Sequence, residues 1–176
     1  MNELSENIAI RLLERKDAAE YQTLRLQSLE ESPEAFLSDL EKEREYSTSI
    51  YANHLDWSLH PPYLGYFGIF VDGKLAGYVQ LSKTMLEKQD HVVFINNLYI
   101  DSHFQHQGLG SRLLKYCLDL LKKNDAAERA FVQCTAKNKK ACSFYKKQGF
   151  RRYSVQAKVV KWLGEYDDAI EFVKVL

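Results

Sequence analysis

Six residues, Gln105-His106-Gln107-Gly108-Leu109-Gly110, carry the clearest chemical signal in this chain. They stand between an apolar, strand-like stretch and an amphipathic helix. A strand that turns through two glycines into a helix start leaves a cluster of backbone N–H groups without partners. Such a cluster attracts an anion, most naturally a phosphate. A nucleoside-triphosphate loop would end in Gly-Lys-Ser/Thr, but Gly110 is followed by Ser111-Arg112, so that reading fails. A dinucleotide fingerprint needs a third glycine and an early βαβ unit, whereas these two glycines lie late in the chain. An ordinary strand-to-helix turn would use the same glycines for tight geometry alone.

Other reactive side chains have plain readings of their own. Asn138 opens a later helix, a common place for a capping asparagine. Tyr145 lies beside Phe144 on the apolar face of that helix, and periodicity alone makes it a packed aromatic. Its phenol is protonated at neutral pH and able to donate a proton. His103 and His106 lack a nearby third ligand, so no metal site is expected. Cys117, Cys134 and Cys142 are odd in number and show no paired spacing, which argues against a disulfide framework or a zinc site. They read as reduced thiols packed as small apolar groups. Cys134, ending a short strand, reads as a structural thiol rather than an acyl-carrying nucleophile.

The elements that must position these groups follow from hydrophobic patterning. Ile8 to Leu13 suggests a first strand, and Asp17 with Glu20 has the form of a helix-opening capping box. Leu24, Leu26 and Leu29 lie in the helix that follows, Glu30 to Ser38 form a loop around Pro33, and Leu40 to Leu59 read as helical. Tyr66 to Val71 and Leu75 to Leu81 form a hairpin through Asp72-Gly73. His91 to Ile100 is a strongly apolar strand that runs into the glycine loop. Leu109, Leu113, Leu114, Cys117, Leu120 and Leu121 recur at helical spacing. Ala130 to Cys134 is a short strand, the helix carrying Ala141 to Gln148 ends at Gly149, and two strands lie within Phe150 to Val160 and Ala169 to Leu176. Pro61-Pro62 marks an internal break but not a domain boundary. A hairpin meander followed by alternating strands and helices gives a mixed α/β sheet covered by helices. At 176 residues the chain is read as one domain. Its 24 basic and 24 acidic residues give no global case for nucleic acid or an anionic membrane. Without an apolar span or leader pattern, the expected location is the cytoplasm.

The glycine run matches, at every specified position, the Gln/Arg-x-x-Gly-x-Gly/Ala pattern of the GNAT N-acetyltransferases. A second block lies at the expected distance. Asn138-Lys139-Lys140-Ala141-Cys142-Ser143-Phe144-Tyr145-Lys146-Lys147-Gln148-Gly149-Phe150 resembles that family's Asn-x-x-Ala-x-x-Phe-Tyr-x-x-x-Gly-Phe segment. Leu98-Tyr99-Ile100-Asp101 resembles the end of its fourth strand. The resemblance implies one N-acetyltransferase domain over 1–176, with a mostly antiparallel central sheet, helices on both faces, and splayed fourth and fifth strands. It implies acetyl-CoA as co-substrate, with the pyrophosphate over the N–H groups of His106 to Ser111, including Gln107, Gly108, Leu109 and Gly110. Gln105 would shape the loop, while His106 and Gln107 point outward. Leu98, Tyr99 and Ile100 would offer backbone to the pantetheine arm, with the Leu98 N–H facing the thioester carbonyl. Asn138 would contact that arm, and Tyr145 would protonate the departing thiolate.

The implied general base is missing from its usual place. Many members carry a glutamate on the fourth strand, whereas this chain has Phe94-Ile95-Asn96-Asn97, and asparagine cannot serve as a base. Glu87, Asp90, His91, His54 and His60 are candidates that no spacing singles out. The acceptor amine is sought among residues 17–59 and the Pro61-Pro62 loop. There Glu41, Glu43, Glu45 and Asp56 would receive a cation, or simply form a solvated face. Tyr46, Tyr51, Trp57, Tyr63 and Tyr66 would line a pocket, or else form core or dimer contacts. The reading is direct acetyl transfer to a primary amine in a ternary complex, with a homodimer possible. The rival is a non-catalytic acyl-CoA-binding or sensing module.

Overall fold

The structure, a computed structural model, describes residues 7–176. Strands β1 (Ile8–Leu12), β2 (Tyr63–Val71), β3 (Lys74–Ser82), β4 (Val92–Ile100), β5 (Arg129–Thr135), β6 (Arg151–Trp162) and β7 (Glu165–Val175) form one sheet in the order β1-β2-β3-β4-β5-β7-β6. Only β4 and β5 run parallel. Helices α1 (Ala18–Glu31), α2 (Leu40–Arg44), α3 (Thr48–Trp57), α4 (Leu109–Lys123) and α5 (Lys139–Lys147) complete the chain.

Each sheet face buries its own core. Leu109, Leu113, Leu114, Cys117 and Leu121 of α4 pack with Ile69, Val79, Val93 and Val132 of the sheet. Their 3.6-residue spacing leaves one apolar stripe, and burial of each leucine contributes roughly 1.5–3 kcal/mol. On the other face Tyr21, Leu24, Tyr51 and Leu55 from α1 and α3 meet Phe70, Leu75, Tyr78 and Tyr99. The β2–β3 hairpin turns through Asp72 and Gly73, both at positive φ (49° and 82°), as a tight hairpin requires.

The feature that makes a site is a parting of strands. β4 pairs with β5 only from Val92 to Ile95. Beyond that, β4 stays with β3, while Gln133 to Thr135 stay with β7. The parting coincides with a bulge in β4, where the register shifts between the Tyr78–Tyr99 and Gln80–Asn96 pairs and Asn97 takes φ 53°. A bulge bends its strand and increases its twist, which directs β4 away from β5.

Two local expectations need correction. The Asp17–Glu20 capping box does not form. Asp17 instead turns back to accept from the Arg11 guanidinium at 2.7 and 2.8 Å and from the Glu14 N–H at 2.8 Å. Two charge-assisted bonds outweigh a cap, and the Arg11 bonds hold Asp17 below the usual carboxylate range. The helix expected over Leu40 to Leu59 is two helices. Arg25, which is 5 % exposed, draws Glu43 inward through bonds of 2.8 and 3.0 Å. Arg25 also donates to Ser38 at 2.8 Å, so one buried guanidinium ties the 32–39 loop and α2 to α1.

Candidate active site

Where β4 and β5 part, a cavity of about 660 Å³ opens, bounded by the glycine loop, the start of α4, and α5. Eleven of the twelve residues singled out from the sequence line it: Leu98, Tyr99, Ile100, Gln105, His106, Gly108, Leu109, Gly110, Ser111, Asn138 and Tyr145. Gln107, the twelfth, is exposed and lies outside the lining.

The loop is shaped by its own side chains. Asp101 accepts from the His103 backbone N–H at 3.0 Å, and Gln105 Nε2 donates to the Ile100 carbonyl at 2.9 Å, which folds the loop back on β4. Gly108 then opens α4 at φ 77°, a left-handed conformation that favours glycine. The first helical bond of α4 runs from the Arg112 N–H to the Gly108 carbonyl. The N–H groups of Leu109, Gly110 and Ser111 therefore have no intrahelical partner, and no side chain caps them. An added Cβ at Gly110 would meet Ile100 and Phe144 at ordinary contact distances of 3.5 and 3.6 Å. Packing within the protein therefore does not demand glycine at 110. Lys137, Lys139 and Lys140 stand on the same cavity, so both helix dipole and side chains favour an anion.

Tyr145 is 6 % exposed, its ring held edge-on against Phe144 and Phe150 at centroid distances of 5.3 and 5.9 Å. Among the described residues its hydroxyl has no hydrogen-bond partner, yet it is not a sealed, unsatisfied group. The hydroxyl therefore reaches the cavity. Burial, and then the nearby Cys134 and Cys142 thiols, push its pKa well above that of an ordinary phenol, so it stays protonated and able to donate. Asn138 caps α5 through its Oδ1, which accepts from the Ala141 N–H at 3.0 Å, leaving its amide nitrogen for the cavity. The Tyr99 side chain is held at the edge of the site. Its hydroxyl donates to Glu31 at 2.5 Å and its ring joins the opposite core.

The structure does not bring the proposed bases to this site. Asp90 is paired with Lys83 at 2.9 Å, and with Glu87 it lines a separate hollow beside Pro61 and Tyr63. His91 precedes β4 at the end opposite the parting of the strands, and His54 stacks near Tyr46, Tyr51 and Trp57 on α3. His60 follows α3 and lines neither this cavity nor the hollow. Asn96 and Asn97 are tied to β3, donating to Ser82 at 2.9 Å and Gln80 at 3.1 Å.

Several residues offered for the acceptor are engaged within the protein. Tyr51 is core, Tyr66 packs against it, Asp56 pairs with Arg15, and Glu43 with Arg25. Glu41 does line a second cavity, of about 610 Å³, between the 33–41 segment and the β6–β7 turn. Six carboxylates, Glu30, Glu34, Asp39, Glu41, Glu165 and Asp167, surround it against Lys137 and Lys161. Glu34, Phe36 and Lys137 line both cavities and so form their shared wall. Thr135, buried at the end of β5, secures that wall by donating to the Glu34 carbonyl at 3.1 Å. Sequence reasoning missed the contribution of the β6–β7 turn, which passes through Leu163 and Gly164 at positive φ. The Leu163-Gly164 pair was the available signal for that hairpin.

A second contact also escaped the sequence. Cys134 and Cys142 bring their sulfurs to 3.2 Å, joining β5 to α5 behind Tyr145. Burial first, and then Cys142, push the Cys134 thiol up to about 12, which leaves it a poor nucleophile at neutral pH.

Comparison with known proteins agrees with this geometry. The family described as "Acetyltransferase (GNAT) family" matches residues 26–150. A protein of Bacillus subtilis (strain 168), named for ribosomal protein bS18 alanine N-acetyltransferase activity, is 33% identical over 93 residues. That match spans 53% of this chain and 58% of the relative, so under two thirds of the relative's length is covered. An acetyltransferase of the GNAT family from Streptococcus pneumoniae superposes with a TM-score of 0.82 at 20% identity, over 97% of this chain and 99% of that one. The yncA protein of Salmonella typhimurium, solved with acetyl-CoA, gives 0.79 at 17% identity over 97% and 94%. At such identities the solved structures speak for the fold. With the family match over most of its length and the parted β4 and β5 strands at its centre, this chain belongs to the GNAT acetyltransferase family.

Proposed function

We propose that the whole chain is one N-acetyltransferase domain, moving an acetyl group from acetyl-CoA to a primary amine by direct attack in a ternary complex. The observation that carries this is the Tyr145 hydroxyl, unpartnered and proton-bearing, in the same cavity as the uncapped start of α4. The N–H groups of Leu109 to Ser111, with the lysines beside them, fit a pyrophosphate. The backbone of Leu98 to Ile100, unpaired on its β5 side, and the free amide nitrogen of Asn138 fit the peptide-like arm. A Leu98 N–H facing the thioester carbonyl would stabilise the developing oxyanion by about 3 kcal/mol. As the amine nitrogen bonds to the acetyl carbon and the carbon–sulfur bond breaks, the Tyr145 hydroxyl delivers its proton to the sulfur.

The name of the Bacillus relative makes the α-amine of an N-terminal alanine the first acceptor to try. The test is free-thiol release from acetyl-CoA with an alanine-initiated peptide and with a panel of small primary amines. Saturable release with at least one amine is the expected result. Acetyl-CoA binding by calorimetry without thiol release from any amine would replace this reading with that of a binding or sensing module.

A further inference from the structure

We propose that Glu34 is the general base that accepts the proton of the acceptor amine, a role that rests on the acetyl-transfer reading above. Among the described residues, Glu34 is the one carboxylate lining both the cavity of Tyr145 and the acidic cavity beside it. A reactant in the acidic cavity must meet the acetyl group at the wall the two share, and that wall is Glu34, Phe36 and Lys137. Phe36 is apolar and Lys137 is a cation, so neither takes a proton from an ammonium group.

The other carboxylates at this junction are already occupied. Glu31 accepts from the Tyr99 hydroxyl at 2.5 Å, from Ser102 at 2.9 Å and from Gln27 at 3.0 Å. Glu30 and Glu41 pair with Arg44 at 3.2 and 2.7 Å. Asp39 caps α2 through the Lys42 N–H. Asp167 accepts from the backbone N–H groups of Lys137 and Asp168 at 3.1 and 2.9 Å. Glu165, at the hairpin tip, lines only the acidic cavity and stands 4.0 Å from Lys137. Among the described residues, the Glu34 side chain makes no hydrogen bond and no ion pair. Its backbone is held nonetheless, because its carbonyl accepts from buried Thr135. Glu34 is thus an exposed, unpartnered carboxylate on a held backbone where the two cavities meet. It stands in for the glutamate that β4 lacks at Asn96-Asn97.

The charged and titratable groups that share these cavities with it are Lys137, Lys139 and Lys140 around the start of α5, Lys161 from β6, Glu165 and Asp167 from β7, Glu30 and Glu31 from α1, Asp39 and Glu41 at α2, and His106 of the glycine loop. In the step proposed, a proton passes from the amine nitrogen to a Glu34 oxygen as the new carbon–nitrogen bond forms. A second proton passes from Tyr145 to the leaving sulfur, so charge is balanced across the site.

The test compares Glu34→Gln and Glu34→Asp with the wild-type chain, using acetyl-CoA and whichever amine the wild type turns over. Glu34→Gln should fold normally, since its carboxylate supports no contact. It should lower kcat by about a hundredfold and leave the calorimetric affinity for acetyl-CoA unchanged. Glu34→Asp should restore part of the lost rate. Glu34→Gln with wild-type kcat would overturn the assignment while leaving acetyl transfer intact. No turnover by the wild type with any amine would overturn both.

Discussion

The two cavities that meet at Glu34, Phe36 and Lys137 are built in opposite ways. The first is made by regular structure: a strand that parts from its neighbour, a helix that opens on a left-handed glycine, and three lysines. The second lies between an irregular segment and a hairpin turn, and carries six carboxylates against two lysines. One suits an anion held by backbone N–H groups, and the other suits a cation held by side chains. The difference teaches where the donor's identity is written and where the acceptor's is. The donor site depends on backbone geometry that a short motif specifies. The proposed acceptor site depends on loops that the Arg25–Glu43 pair and the Thr135 bond hold in place.

If the halves are as separable as this, substitutions should damage one and spare the other. Glu43→Gln is expected to have the largest effect, because it leaves a buried guanidinium without its counter-ion. It should cost about 3 kcal/mol or more in denaturant unfolding. It should raise KM for the amine while acetyl-CoA affinity stays unchanged at temperatures where the variant is folded. The same pair sets acid stability. Although burial alone would raise it, Glu43 is held below its ordinary range by Arg25, as Asp17 is by Arg11. A depressed carboxylate contributes stability above its unfolded pKa and loses it as pH falls through the folded value. Melting temperatures should therefore hold down to about pH 5 and fall below about pH 4.

Gly108→Asp should strike the other half. It forces a side chain into φ 77° and places a carboxylate at the anion site, so acetyl-CoA affinity should drop by about a hundredfold or more by calorimetry. An equal loss in amine affinity in a trapped complex would break the comparison. Tyr145→Phe should lower kcat by about a hundredfold. Thermal stability and acetyl-CoA affinity should be retained, because the hydroxyl has no protein partner to lose. The smallest effects belong to Lys139→Ala and Lys140→Ala, each weakening acetyl-CoA by about twofold at low salt and less at high salt.

The residues proposed for the donor half could be named from the sequence because its parts are local. Gln105 to Gly110 and Asn138 to Phe150 each lie within one turn and one helix, so spacing predicts contact. The bulge at Asn97 that parts the strands left no comparable mark, since it depends on the register with β3. The acidic cavity proposed for the acceptor was not foreseen, for a related reason. Its wall joins Glu34 to Thr135 across a separation of 101 residues and to the β6–β7 turn beyond, and no periodicity reports such a meeting. The aromatics Tyr51 and Tyr66, which composition offered as a pocket, were taken by the core because α1 and α3 had a sheet face to cover. The Arg25–Glu43 pair was hidden in the same way, as one more charge among many in residues 17–59.

The central claim, that donor and acceptor enter from opposite cavities and meet at one wall, is tested most directly by a crystal structure with coenzyme A and an alanine-initiated peptide. Phosphate oxygens are expected on the N–H groups of Leu109 to Ser111 and the sulfur at Tyr145. The peptide is expected in the acidic cavity with its amine within hydrogen-bond reach of Glu34. Coenzyme A lying outside the parting of β4 and β5, or a peptide entering through the hollow beside Pro61 and Pro62, would contradict that claim.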